Sequence, residues 1–245
     1  MSRRELAGVL AGLVATAAVT AAHAEPAADA PVVLAAASLT EVLPRIEPNG
    51  RYSLAGSNQL AQQIRLGAPF DVSLSASPVY TQALHAEGLV RKPVGFATNS
   101  LVLITPRSNP QRIRSVYDLA RQPKLRLVVA GPKVPIGLYT REVLKRLGLL
   151  KVLKKAVSLE PDVKGIVGKV ALGEADAGFV YRTDVRPVAR KVKVISLPAT
   201  SQPTVLYEAA VASKPVSLES AQAFVIALLS PDGRRQLRAA GFGLP

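Results

Sequence analysis

The 245-residue chain has no cysteine and no tryptophan, and its only histidines are His23 and His85. Without cysteine there is no disulfide framework, no thiolate nucleophile and no residue to carry a lipid anchor. One histidine in the body of the chain leaves no basis for a zinc site or for Cys/His catalysis. No glycine-rich dinucleotide fingerprint or Walker loop occurs, so nucleotide chemistry has no support. Aromatic residues make up only 4% of the chain and form no stacking platform. The basic residues are scattered along it, so nucleic-acid binding is disfavoured. Acidic residues are also scarce: 17 against 31 Lys and Arg, a formal net charge of +14.

The first residues, Met1-Ser2-Arg3-Arg4-Glu5, are positively charged, Leu6 to Ala22 is apolar, and Ala22-His23-Ala24 has the small-x-small pattern of a cleavage site. A membrane anchor of this length would just span a bilayer. The charged start and the Ala-His-Ala end favour a signal peptide over residues 1–24, and Ser2-Arg3-Arg4 also fits a twin-arginine leader. Residues 25–30 read as an Ala/Pro linker, and a periplasmic location follows. Without the leader, 29 basic face 16 acidic side chains, a net +13. That balance calls for an anionic partner: nucleic acid, an anionic membrane surface or a small anion drawn in by the general field.

From Val32 onward, short apolar runs alternate with helical patterns. Strands are expected at Val32-Val33-Leu34, Tyr52–Ala55, Val72–Leu74, Leu101–Ile104, Leu125–Ala130, Ala177–Tyr181, Val192–Ser196 and Val205–Ala212. Helices are expected over Leu60–Leu66, Pro78–Glu87, Val116–Ala120, Gly137–Leu147, Val163–Leu172, Leu218–Leu229 and Gly233–Ala240. This alternation predicts an α/β fold with helices on both faces of parallel sheets.

In such sheets ligands bind at the carboxyl ends of strands, where helix N-termini converge. Ser38 follows the first strand and Ser57 the second. Val134-Pro135-Ile136-Gly137 and Pro161-Asp162-Val163-Lys164 each lead into a helix, and Tyr181 closes a strand with a phenol that donates at neutral pH. Taken singly, each is an ordinary cap, helix start or packing residue. Neither serine has a general base nearby, so binding is a better reading than catalysis.

Several short motifs occur in a fixed order: Ala35-Ala36-Ala37-Ser38-Leu39-Thr40, Gly56-Ser57 with Leu60-Ala61 and Gln63-Ile64, and Gly67-Ala68-Pro69-Phe70-Asp71-Val72. They are followed by Asn99-Ser100-Leu101-Val102, Val134-Pro135 with Gly137 and Tyr139, Asp162-Val163-Lys164, and Gly178 with Val180-Tyr181 and Asp184. Together they resemble the periplasmic molybdate-binding proteins of ABC transporters, from about Val32 to Phe242. The resemblance implies a two-lobed, Venus-flytrap fold with mixed, mostly parallel sheets. Lobe 1 would be residues 31–98 and 199–245, and lobe 2 residues 99–198.

It further implies that molybdate or tungstate binds between the lobes and passes to a membrane permease and its ATPase, with the protein acting as a monomer. Another tetrahedral oxyanion such as sulfate, or an oxyanion-sensing regulatory module of the same fold, is the alternative. The implied ligand-binding positions are Ser38, Ser57, Ile136, Val163 and Tyr181. The serines would offer hydroxyl and backbone N–H, Ile136 and Val163 backbone N–H only, and Tyr181 its phenol. The implied metal is present only inside the oxyanion, with no direct ligands and no cofactor.

Two features depart from the family pattern: the short, proline-containing stretch from Thr40 to Arg51, and Ile136, where relatives often carry alanine. Asp71 reads as a cap or inter-strand anchor, and Lys164 as a solvated lysine at a helix start.

Overall fold

The computed structural model describes residues 30–245. The expected signal peptide and all but the last residue of the linker lie outside the described residues. The strands, in chain order, are β1 (Val32–Ala36), β2 (Arg51–Ala55), β3 (Val72–Ser75), β4 (Val94–Asn99), β5 (Leu101–Pro106), β6 (Leu127–Ala130), β7 (Ala156–Glu160), β8 (Ala177–Tyr181), β9 (Val192–Ser196) and β10 (Val205–Val211). The helices are α1 (Leu43–Ile46), α2 (Ser57–Arg65), α3 (Pro78–Ala86), α4 (Asp118–Arg121), α5 (Pro135–Arg146), α6 (Val163–Ala171), α7 (Leu218–Leu229) and α8 (Pro231–Ala240).

These strands form two five-stranded sheets, ordered β2-β1-β3-β10-β4 and β7-β6-β8-β5-β9. Both sheets are mixed. In the first, β1 pairs in parallel with β2 and β3, and β10 runs antiparallel to β3 and β4. In the second, β6 pairs in parallel with β7 and β8, and β5 runs antiparallel to β8 and β9. Parallel pairs are thus half of each sheet rather than most of it.

Burial explains the clearest strand signals in the sequence. β5, β6 and β8 are buried along their whole length and read as unbroken apolar runs. β7 is an edge strand that exposes Val157 and Leu159, and β4 is an edge strand opened by Pro93 and interrupted by Gly95. Neither has the continuous apolar run of a central strand, and periodicity alone misses both. Proline at the first helical positions also moves two expected helix starts forward: α5 begins at Pro135 rather than Gly137, and α8 at Pro231 rather than Gly233.

The chain passes from the first sheet to the second between Asn99 and Leu101, and returns between Ser196 and Val205. The two crossings are stitched together by Gln202. Its Oε1 accepts from Leu101 N at 3.0 Å, and its Nε2 donates to Leu101 O at 2.8 Å.

Asp71 is the anchor that the sequence suggests. It is fully buried, and its carboxylate accepts from Val32 N at 2.8 Å and from Ser217 N at 2.6 Å. It thereby ties the start of β1 to the residue that caps α7. Between Thr40 and Arg51 the chain holds only the four-residue helix α1, with Pro44 in its first turn.

Candidate oxyanion site

Three helices of nine or more residues begin at one point between the sheets. α2 starts at Ser57 after β2, α5 at Pro135 after β6, and α6 at Val163 after β7. The first four N–H groups of a helix have no acceptor within it, and each N-terminus carries roughly +0.5 of an elementary charge. A short 3₁₀ turn, Ala37–Leu39, brings Ser38 to the same place from the end of β1.

All five positions expected from the sequence, Ser38, Ser57, Ile136, Val163 and Tyr181, line one cavity of about 20 Å³. Among the lining residues the only charged one is Asp162, and no lysine or arginine is present. Asp162 caps α6: its Oδ1 accepts from Lys164 N at 2.7 Å and from Gly165 N at 3.2 Å. Those bonds occupy the second and third amides of α6, and the first, on Val163, is the one the cap does not use.

The hydroxyl side chains around the cavity are free to act as donors. Ser57 Oγ accepts from Ala76 N at 3.1 Å, so its own proton is free to donate elsewhere. Ser38 Oγ lies 2.8 Å from Tyr207 Oη. Tyr181 is 2% exposed, and its Oη has no hydrogen-bond partner among the described residues. Its phenol is held well above its ordinary acidity range, first by burial and then by Tyr207, Tyr139 and Asp184. It therefore keeps its proton and can donate it to the cavity. A buried donor left unmet costs about 1–3 kcal/mol, which an acceptor in the cavity would recover.

Close packing holds this geometry. Gly178 in β8 lies directly under α6, where a Cβ would stand 2.5 Å from Ile166 Cγ2. The absence of that Cβ lets α6 settle on the strand that ends in Tyr181. Tyr181 is wedged edge-on between Tyr139 and Tyr207, with ring centroids 6.5 and 6.0 Å away. Across the cleft, Tyr139 Oη donates to Ala76 O at 3.3 Å, and Tyr80 Oη donates to Lys133 O.

Lys164 departs from the expected solvated role. Its Nζ is 3.2 Å from Asp184 Oδ1 and 3.5 Å from Glu41 Oε1, the latter in the opposite lobe. Asp184 is buried, and neither of its oxygens takes an aligned hydrogen bond among the described residues. Burial raises its carboxyl to about 6 even though Lys164 pulls it the other way.

Sequence reasoning did not single out Tyr207 or Asn99. Asn99 Nδ2 donates to Tyr207 Oη at 3.4 Å and to Thr183 Oγ1 at 2.9 Å. Asn99 belongs to the Asn99-Ser100-Leu101-Val102 motif, which carries no sign of a ligand role for it, and Tyr207 lies inside an apolar strand with no local signal of a polar task.

Two mixed sheets wrapped by helices, joined by two crossings and enclosing a donor-lined cavity between them, define a two-lobed solute-binding protein. The chain belongs to the bacterial extracellular solute-binding protein family, whose model matches residues 33–243. It is 36% identical over 224 residues to the molybdate-binding protein ModA of Mycobacterium tuberculosis, covering 87% of this chain and 84% of that protein. It is 33% identical over 200 residues to ModA of Escherichia coli, covering 73% and 76%. Among solved structures, the periplasmic molybdate-binding protein of Azotobacter vinelandii shares the fold with a TM-score of 0.78 and 23% identity, over 88% of this chain and 99% of that one.

Proposed function

We propose that this chain is a periplasmic solute-binding protein that captures molybdate or tungstate between its lobes and delivers it to an ABC permease and its ATPase. Export by the leader would place it in the periplasm, where a net positive surface draws in anions. The observation that carries this reading is the unpartnered phenol of Tyr181, buried in a cavity that three helix N-termini and two serines also face.

In this reading Ser38 and Ser57 bind the anion through hydroxyl and backbone N–H, Ile136 and Val163 through backbone N–H, and Tyr181 through its phenol. Three N-termini supply together roughly +1.5 elementary charges, enough to balance most of a dianion without burying a lysine or arginine. A ligand that must itself donate, such as hydrogen phosphate, sets its O–H against another donor and leaves both unpaired, at about 1–3 kcal/mol each. Sulfate has the same charge and shape, so discrimination against it rests on size.

Calorimetric titration with molybdate, tungstate, sulfate and phosphate tests the reading, since the chain has no tryptophan to report binding. Heat with molybdate or tungstate and weaker binding of sulfate and phosphate is expected. No heat with either metal oxyanion, or equal affinity for sulfate, overturns it.

A further inference from the structure

Tyr207 does not line the cavity, yet its hydroxyl is 2.8 Å from Ser38 Oγ, with both residues buried. Which atom donates in that contact follows from the next residue along. Asn99 Oδ1 accepts from Ser100 N at 2.9 Å, which orients the amide and turns Nδ2 toward Tyr207 and Thr183. An amide NH₂ can only donate, so Tyr207 Oη is the acceptor there. A phenol has one proton, and among the described residues the other hydrogen-bond partner of this one is Ser38 Oγ. Tyr207 therefore donates to Ser38, and the Ser38 proton is left for the cavity. Ser57 reaches the same state by a different route, since the Ala76 N–H occupies its oxygen.

We propose that Tyr207 is a positioning and specificity residue: oriented by Asn99, it holds the Ser38 hydroxyl as a donor and so tunes the cavity for fully deprotonated oxyanions. The inference rests on the anion-binding reading above. Without the phenol, Ser38 is free to turn its lone pairs inward and accept from a protonated ligand. The Tyr207 ring would stay in place, because Phe96, Tyr181 and Phe242 pack edge-on against it at 6.0, 6.0 and 5.4 Å.

The test is Tyr207→Phe, titrated against molybdate and against phosphate at pH 7, together with Ser38→Ala and the double variant. Molybdate binding should weaken about tenfold, roughly 1.4 kcal/mol. Phosphate should hold or gain, so that the preference between the two narrows. In the Ser38→Ala background, Tyr207→Phe should have no further effect on molybdate. Asn99→Asp turns the same chain around: its carboxylate accepts the hydrogen bond of the Tyr207 hydroxyl, and Ser38 must then donate to Tyr207. Molybdate should suffer there at least as much as in Tyr207→Phe, and phosphate less, which gives a second route if Tyr207→Phe fails to fold.

Unchanged affinity in Tyr207→Phe, equal losses for molybdate and phosphate, or losses additive with Ser38→Ala would each overturn the role of Tyr207. A wild-type protein that binds none of the tetrahedral dianions overturns the anion-binding reading itself, and this proposal with it.

Discussion

Gly56, at the start of α2, faces the carbonyl oxygen of Pro161, just before α6 on the other side of the cleft, so closely that a Cβ on residue 56 would stand 2.5 Å from that oxygen. The backbone of Gly56 is extended, with φ −63° and ψ 135°, which any residue adopts. A Cβ there would also stand 2.8 Å from Asn58 Oδ1 in its own lobe, but that is the end of a side chain that can turn, whereas the Pro161 carbonyl is backbone and meets it when the lobes are together. Gly56→Ala should accordingly leave the melting temperature of the free protein nearly unchanged while weakening molybdate binding tenfold or more. Small-angle scattering with saturating ligand should show the variant more open than the wild type.

Tyr181→Phe and Ser57→Ala should separate binding from stability. The Tyr181 hydroxyl has no partner among the described residues, so its removal relieves a buried unmet donor and should hold or raise the melting temperature. Ser57 Oγ receives the Ala76 N–H, so Ser57→Ala strands that donor and should cost about 1–3 kcal/mol of stability. Both variants should lose affinity in calorimetric titration. Wild-type affinity in both would remove these side chains from the site.

Asp184 makes stability depend on pH. Its carboxyl is raised to about 6 by burial, while Lys164 on α6, Asp162 capping α6, Tyr181 on β8 and Tyr207 on β10 all face it. The unfolded chain would titrate near ~3.9, so folding takes up a proton between about pH 4 and 6. The stability that the protonated form contributes is full below about 4 and is lost as pH rises through about 6. Asp184→Asn keeps the neutral form at every pH. In urea unfolding it should match the wild type near pH 4 and exceed it above pH 7, by up to about 3 kcal/mol. A constant difference across that range would place the Asp184 carboxyl elsewhere.

The Glu41–Lys164 pair crosses the cleft at 3.5 Å with its side chains 50% and 30% exposed. Such a pair contributes about 0–1 kcal/mol and is screened by salt. Glu41→Gln should weaken molybdate binding less than fivefold, with the difference disappearing in 1 M sodium chloride. Lys164→Met should instead lower stability clearly at pH 7.5, because it leaves Asp184 buried with no counter-charge beside it. That loss should be relieved when Asp184→Asn is added.

Much of the architecture was legible because its signals are local. β5 and β8 are buried from end to end, and a short run such as Leu101-Val102-Leu103-Ile104, stopped by Thr105-Pro106, favours a buried strand over a helix. Serine, proline and aspartate before helices mark where N-termini begin, and those positions turned out to share one cavity. The edge strands β4 and β7 escaped for local reasons, since the exposed edges β2 and β9 were legible: β4 is opened by Pro93 and interrupted by Gly95, and β7 turns Val157 and Leu159 outward and carries Ser158 and Glu160 between and after them. Lys164 departs from its expected role because a helix-start lysine is ordinarily solvated, whereas its partner Asp184 comes from beyond the next strand.

By itself the sequence determined the alternation of strands and helices and the lack of any cysteine or second body histidine for metal or thiol chemistry, and through its family resemblance it named five candidate donor positions. Tertiary structure alone decided what those donors can do. Ser38 and Tyr207 stand 169 residues apart, and Gly56 and Pro161 come from opposite lobes. A hydrogen bond's direction and a Cβ's clash depend on atoms a few ångströms apart in space, and spacing along the chain does not encode that distance when two sheets and two crossings lie between.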